Sequence, residues 1–107
     1  MWYNTRMKVI KEEQVRDGLY QVTYKNGLVL SIGSSDMHYC AKRFGVPLTV
    51  EVAVIHPQKG LIKLSEIDGT VAQLDIARFE HLTEKMERLA DTGADVAVKE
   101  LLHWADF

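Results

Sequence analysis

Cysteine is nearly absent from this sequence, and its scarcity excludes two common ways of stabilising a small domain. The chain of 107 residues contains one cysteine, Cys40. A single thiol cannot form an internal disulfide, and it cannot supply a zinc site built from several cysteines. The fold must therefore be stabilised by a hydrophobic core, and the composition suits a reducing compartment.

Long apolar runs are also missing, and so is a large excess of charge of either sign. No segment approaches the roughly 20 apolar residues that cross a bilayer, and the opening stretch "MWYNTRMKVIKEE" does not resemble a secretory signal. We therefore predict a cytoplasmic protein without membrane association. The net charge of -2 provides no general attraction to nucleic acid. Lys42, Arg43 and Lys25 are too few basic residues to change that expectation.

Nucleotide-binding fingerprints and an assembled catalytic constellation are absent as well. Neither "GxxxxGK" nor "GxGxxG" occurs in the sequence. A reactive thiol or hydroxyl needs a neighbouring base and an oxyanion hole, and the sequence does not bring these groups together. We predict no cofactor, and a non-enzymatic role is favoured over an enzymatic one.

The sequence does contain enough apolar residues for one core. Hydrophobic residues make up 47% of the chain and charged residues 26%, which is typical of a globular protein. We predict a single domain over residues 1–107, with strands at about 7–67 and helices at about 75–106.

Two hairpins are predicted from alternating apolar residues. In "GLYQVTYKNGLVLSIG", a loop of residues 25–27 with positive φ at Gly27 places six apolar side chains on one face. It pairs Tyr24 with Leu28, Val22 with Leu30, and Tyr20 with Ile32. The second hairpin joins "TVEVAVI" to "LIKL" through "HPQKG", and it pairs Ile55 with Leu61, Val54 with Ile62, and Val52 with Leu64. The segment "MKVIK" is a further candidate strand, at an edge because of Lys8 and Lys11.

The period of the apolar residues changes to that of a helix after Asp75, the predicted N-cap. The apolar face consists of Ile76, Phe79, Leu82, Met86 and Leu89. Gly93 is predicted to end this helix with positive φ, and Thr92 with Asp95 to begin a second helix as a capping box. The order of elements predicts an α+β fold, in which a small antiparallel sheet of two β-hairpins, with a possible N-terminal strand, packs against two C-terminal helices.

The loop "SIGSSDMHYC" holds the most reactive side chains of the chain. Its candidate ligand-binding residues, for a small molecule, a nucleotide or a metal, are Ser34, Ser35, Asp36, His38 and Cys40. Alternate residues of an extended strand lie about 6 to 7 Å apart, which is too far for one tetrahedral zinc, so we predict no metal site. A buried Cys40 beside exposed Asp36 and His38 is the simpler interpretation.

The second helix has more apolar surface than one docking face requires. Val98, Leu101, Leu102 and Ala105 share one face, whereas Val96, Trp104 and Phe107 lie to another side. This surplus is buried either within the domain or against a partner. The candidate residues for partner contact are Asp36, His38, Tyr39, Lys42, Arg43, Trp104 and Phe107.

The succession "YKNGLVLSIG", "VEVAVIHPQKGLIKL" and "IDGTVAQLDIARFEHLTEKMERL" resembles a group of small, uncharacterised proteins encoded by bacteriophages and prophages. The chain departs from that group in the loop "DMHYCAKRFGVPL" and in the extra helix at 94–107. The resemblance implies an accessory protein of a phage or mobile element, active in the host cytoplasm, whose target is a host or defence-system protein.

Two functions from different classes follow from these observations. The leading prediction is a small non-enzymatic accessory protein that binds another protein, with a second copy of the same chain as one candidate partner. The alternative is a domain that binds a small ligand, a nucleotide or a metal through the loop at residues 33–43.

Overall fold

The computed structural model describes residues 8–16, 18–33, 49–65 and 69–104. It also describes residues 42–43 and 46–47, and for these four residues and for residue 104 it gives the backbone alone. The strands are β1 (Val9–Arg16), β2 (Leu19–Tyr24), β3 (Val29–Gly33), β4 (Lys42–Arg43), β5 (Val46–Pro47), β6 (Thr49–His56), β7 (Gly60–Leu61) and β8 (Ala72–Asp75). The helices are α1 (Ile76–Arg88) and α2 (Ala94–Trp104), joined by a short 3₁₀ turn at Leu89–Asp91. The predicted α+β class is confirmed.

One antiparallel sheet of six strands forms the centre of the fold. Its order is β1-β2-β3-β6, and both β7 and β8 pair with the far edge of β6. The two short strands β4 and β5 pair only with each other. The strands come before the helices in the chain, and the helices cover one face of the sheet, as the sequence pattern predicts.

The first hairpin has the predicted register. Val22 lies opposite Leu30 and Tyr20 opposite Ile32, and the Tyr24 N–H donates to the Leu28 carbonyl at 2.8 Å. Gly27 has a φ of +93°, a conformation that a residue with a Cβ adopts at a cost. The three-residue loop at 25–27 is therefore confirmed, and so is the positive φ of its glycine.

The second hairpin follows the prediction only near its turn. Ile55 lies opposite Leu61, and the Ile62 N–H donates to the Val54 carbonyl at 2.9 Å. The predicted pairing of Val52 with Leu64 is wrong, because the Leu64 N–H donates to the carbonyl of Gly69 at 2.7 Å. The place opposite Val52 is taken by β8, a strand that the sequence analysis did not predict.

Strand β1 is longer than the predicted edge strand and is interrupted by two bulges. Register shifts occur between Val9 and Lys11 and between Gln14 and Arg16, so Ile10 and Val15 are the extra residues. Both are exposed, at 65% and 47%. Bulges and charged side chains are common devices that prevent an edge strand from pairing with another chain.

Asp75 caps α1 as predicted, because its carboxylate accepts from the Arg78 N–H at 2.8 Å. Two predictions for the other end of this helix are wrong. Gly93 is not among the positive-φ glycines; its carbonyl accepts from the Ala97 N–H at 2.9 Å, so it begins α2 and does not end α1. Asp95 does not form a capping box with Thr92, since its carboxylate contacts His56.

The hydrophobic core lies between one face of the sheet and the two helices. α1 contributes its predicted face, with Leu82 and Met86 fully buried. α2 buries Ala97 and Leu101, and Val98 packs against the core. Leu102 was predicted on this docking face but is 38% exposed. It directly follows the buried Leu101, and in an α-helix consecutive side chains do not lie on the same face. No helix in the described ranges is long and apolar enough to cross a membrane.

Candidate functional site: an acidic groove beside the first helix

Most residues that the sequence analysis selected lie outside the described ranges. These are Ser34, Ser35, Asp36, His38, Tyr39, Cys40 and Phe107. For Lys42 and Arg43 the structure gives the backbone, which forms β4 opposite Pro47 and Val46. Trp104 is the last residue of α2. The loop and the end of α2 therefore stay predictions as sites.

The described side chains do not bring together a metal-binding group. Within residues 8–16, 18–33, 49–65 and 69–104, no three histidine, cysteine, aspartate or glutamate side chains are grouped to hold an ion. His56, the one buried histidine of this part of the chain, is used for a structural contact with α2.

That contact belongs to the helix junction, the segment of residues 89–95 between α1 and α2. The Asn26 side-chain amide donates to the carbonyls of Leu89 at 3.1 Å and Thr92 at 3.0 Å. The other side-chain atom of Asn26, Oδ1, accepts from the Leu28 N–H at 3.1 Å. One asparagine in the first hairpin loop thus binds two carbonyls of the segment that joins the two helices.

Two lysines hold the same junction through Asp91. The carboxylate lies 2.7 Å from Lys8 Nζ and 3.0 Å from Lys25 Nζ. The hydrogen bonds from Lys8 and then Lys25 hold the pKa of Asp91 below its ordinary value of 3.8. These side chains are exposed, and such pairs contribute little individually to stability.

The second hairpin loop contacts the junction through His56, which is 3% exposed. Its Nδ1 accepts from the backbone N–H groups of Gln58 at 3.0 Å and Lys59 at 3.1 Å. The proton of the neutral ring is therefore on Nε2, which donates to Asp95 Oδ1 at 2.7 Å. Lys59 first and His56 second hold the pKa of Asp95 below its ordinary value. This histidine fixes α2 to the sheet.

A groove runs along α1, between that helix and the β1–β2 part of the sheet. Its volume is about 580 Å³, and we call it the acidic groove. It is lined by Val9, Glu12, Tyr20, Val22, Tyr24, Ile32, Phe79, Glu80, Thr83 and Glu87. The volume lies within the range of about 300 to 1,000 Å³ that is typical of ligand sites.

The floor of the acidic groove is apolar and aromatic. Val22 and Tyr24 are buried, while Tyr20 on the same face of β2 is 38% exposed. Phe79 of α1 packs partly against the core and forms one wall. The floor exists because the first hairpin sets its apolar side chains on one face and α1 covers only part of it. A partly exposed aromatic surface in a concave site is a common anchor for a partner.

The rim of the acidic groove carries negative charge on both sides. Glu12 lies on β1, and Glu80 and Glu87 lie on α1. No lysine or arginine is among the lining residues. The Tyr20 hydroxyl donates to Glu12 Oε1 at 3.4 Å, whereas no cationic side chain in the described ranges forms an ion pair with Glu80 or Glu87. Carboxylates on both sides of an apolar floor favour a ligand that is both cationic and apolar.

A second depression, on the other face of the sheet, has a different character. It measures about 270 Å³ and contains Arg16 and Glu51 together with Gly18, Gly33 and Val71. Its opposite charges do not favour a ligand of either sign. The acidic groove is therefore the better candidate of these two depressions.

The sequence analysis missed the acidic groove because no single segment encodes it. Tyr20 and Phe79 were each assigned to an apolar face, and the position of α1 across the sheet decides which of them stays open. One signal was present in the sequence. Glu80 and Glu87 are seven residues apart, which is two helical turns, so both lie on the same side of α1.

Comparisons with known protein families, with curated proteins and with solved structures found no match to this chain. The function is therefore inferred from the acidic groove and from the sequence.

Proposed function

We propose that this chain is a small, non-enzymatic accessory protein that binds another protein through the acidic groove. The observation that carries the proposal is the combination of an aromatic floor with carboxylates on both sides of the opening. The proposed origin in a phage or mobile element rests on the sequence resemblance alone. So does the proposed target class, a host or defence-system protein.

Burial supports a binding role for this surface. Tyr20 is one of the few large side chains on the core-facing side of the sheet that stays exposed, at 38%. More than a third of this aromatic side chain therefore remains in water, where it contributes nothing to the stability of the domain. The same ring placed against a partner supplies a large contact area at small entropic cost.

Site-specific photo-crosslinking tests the proposal. A photoreactive phenylalanine derivative replaces Thr83 inside the acidic groove, and in a control variant it replaces Lys99 on the exposed side of α2. Both variants are expressed in cells that naturally contain the protein and are irradiated. We expect a protein adduct from position 83 and not from position 99.

Three results would contradict the proposal. The first is the absence of any adduct from position 83, and the second is equal adducts from both positions. The third is an adduct at position 83 that nuclease removes, which would identify a nucleic acid as the partner. Circular dichroism of each variant shows that the fold is retained, so a missing adduct reports on the groove.

A further inference from the structure

We infer that this chain forms a weak symmetric dimer, in which the open face of the sheet packs on the open face of a second copy. The open face is the side of the sheet opposite the two helices. The acidic groove lies on the helix side, so both copies keep it accessible in the dimer. The residues of the open face lie in three rows across the strands: Arg16, Leu19, Gly33 and Glu51; Glu13, Gln21, Ser31 and Ala53; Lys11, Thr23, Val29 and Ile55.

The open face has apolar surface that the domain itself leaves partly exposed. Leu19, Val29 and Ile55 are only partly buried, whereas the residues that alternate with them belong to the core. At one end of the face lies the depression of about 270 Å³, which is centred on small residues such as Gly33. Sheet faces of this kind pack on a second sheet about 10 Å away, with the two strand directions roughly aligned.

Arg16 and Glu51 give the open face its charge complementarity. They occupy the two ends of one row, three strands apart, so their Cα atoms are separated by about 14 Å at roughly 4.8 Å per strand. A Cβ built at Gly33 would lie 3.8 Å from Glu51 Oε1, so this carboxylate leans over the depression. Among the described residues, neither Arg16 nor Glu51 has an ion pair or a side-chain hydrogen bond. Two opposite charges at one depression are therefore available to a partner.

A two-fold axis that runs parallel to the strands, between β2 and β3, brings these charges together twice. Such an axis keeps each row in place and reverses the order of the strands. Arg16 of each copy then faces Glu51 of the other, and Leu19 of each copy faces the depression at Gly33 of the other. The open face is therefore complementary to itself in both charge and shape.

The remaining charges of the open face agree with this axis and exclude another one. An axis perpendicular to the strands would place Arg16 of one copy over Lys11 of the other, which is unfavourable. With the parallel axis, Lys11 faces Ile55 and its own neighbour Glu13 remains 3.3 Å from its Nζ. No like charges of the three rows then face each other.

The size of the contact predicts a weak dimer. Four strands at roughly 4.8 Å and five residues at roughly 3.3 Å give a footprint of about 19 by 17 Å. Standard interfaces bury about 800 Å² on each partner, which is more than this footprint supplies. We therefore expect a dissociation constant in the micromolar range.

Sedimentation velocity of the intact protein between about 10 and 500 µM tests the inference. The mass of the wild type should rise from 12.2 kDa towards twice that value as the concentration increases. Arg16→Glu, or Glu51→Arg, should weaken the dimer at least about tenfold, because each places two like charges face to face. The combined exchange of both residues should restore the wild-type dissociation constant to within about threefold.

Two further variants separate the interface from other effects. Arg88→Glu on α1 reverses the same charge on the helix side and should change the dissociation constant less than about twofold. Gln21→Lys places a charge near the axis without altering Arg16 or Glu51, and it should weaken the dimer as strongly as Arg16→Glu. Circular dichroism and urea denaturation confirm that each variant is folded.

Three results would overturn the inference. One is a mass of 12.2 kDa for the wild type at every concentration. Another is a folded Arg16→Glu or Gln21→Lys variant that dimerises as well as the wild type, which would place the contact on a different surface. The third is an exchange variant that is folded but dimerises no better than the single variants.

Discussion

The helix junction and the acidic groove differ in how their charged groups are used. At the helix junction, Asp91 faces two lysines and Asp95 faces His56 and Lys59. At the acidic groove, Glu80 and Glu87 line an apolar surface that contains no lysine or arginine. Charges that are matched within the chain fix the fold, whereas charges left facing an open aromatic floor are suited to a partner.

The largest expected effect comes from removing the buried histidine. We expect His56→Leu to lower the free energy of unfolding by about 3 kcal/mol, because the N–H groups of Gln58 and Lys59 lose their acceptor while the side-chain volume is kept. Urea denaturation measures this change. The same substitution at exposed His103 is the control and should stay within about 0.5 kcal/mol of the wild type. Equal stability of both variants would show that His56 does not fix the junction.

Asn26 provides a second way to break the junction. Asn26→Asp keeps the shape and the acceptor for Leu28 but places a carboxylate oxygen against the carbonyls of Leu89 and Thr92. We expect a loss of about 2 kcal/mol at neutral pH, as large as for Asn26→Ala. Thermal and urea unfolding of the two variants measure it. An aspartate variant as stable as the wild type would mean that the amide hydrogen bonds contribute nothing.

Gly27 lies against Pro57 and so connects the tips of the two hairpins. Alanine substitutions at two positive-φ glycines distinguish the cost of backbone strain from the cost of a close contact. A Cβ at Gly27 would lie 3.0 Å from Pro57 Cγ, whereas one at Gly60, where φ is +78°, meets nothing within 4 Å. We expect Gly60→Ala to cost about 1 kcal/mol and Gly27→Ala between about 1 and 2 kcal/mol. Gly33→Ala, with ordinary contacts, is the control. Equal melting curves for the Gly27 and Gly60 variants would rule out a tight contact between the hairpin tips.

Acid should weaken the junction by a smaller amount. The pKa of Asp91 in the folded state is lowered from 3.8 by Lys8 and Lys25. Its contribution is therefore fully present above the unfolded pKa and is lost as pH falls through the folded pKa. We expect Asp91→Asn to be slightly less stable than the wild type at pH 7, with the two curves converging below about pH 4. Parallel curves down to pH 2 would contradict this assignment.

The parts of the fold that the sequence predicts are those determined by neighbouring residues. The register of the first hairpin follows from alternation around Asn26 and Gly27, and the Asp75 cap follows from the start of the apolar period. β8 could not be predicted, because its pairing with β6 depends on the chain returning at Gly69, which forms a bridge with Ser65. A run of four residues also gives too little alternation to distinguish a strand from the start of a helix.

The candidate site was harder to predict than the fold. The acidic groove combines the neighbouring strands β1 and β2 with α1, which is distant from them in sequence, and its opening depends on how far α1 covers the sheet. The structural role of His56 was not predicted, because nothing local in the sequence shows that the first turn of α2 reaches it. Reactive residue types concentrated in one loop are visible in the sequence, whereas a surface built from ordinary glutamates and tyrosines is not.

The hydrogen bonds of Asn26 connect residues that are 63 and 66 positions apart in the chain. Each hairpin, by contrast, closes over a few residues and can form early. Contacts between distant segments require a large loop to close, which slows folding more than it lowers stability. The attachment of the helices to the hairpin tips is therefore expected late in folding. The amides of residues 89–95 should consequently exchange with solvent more rapidly than those of the central strands β3 and β6.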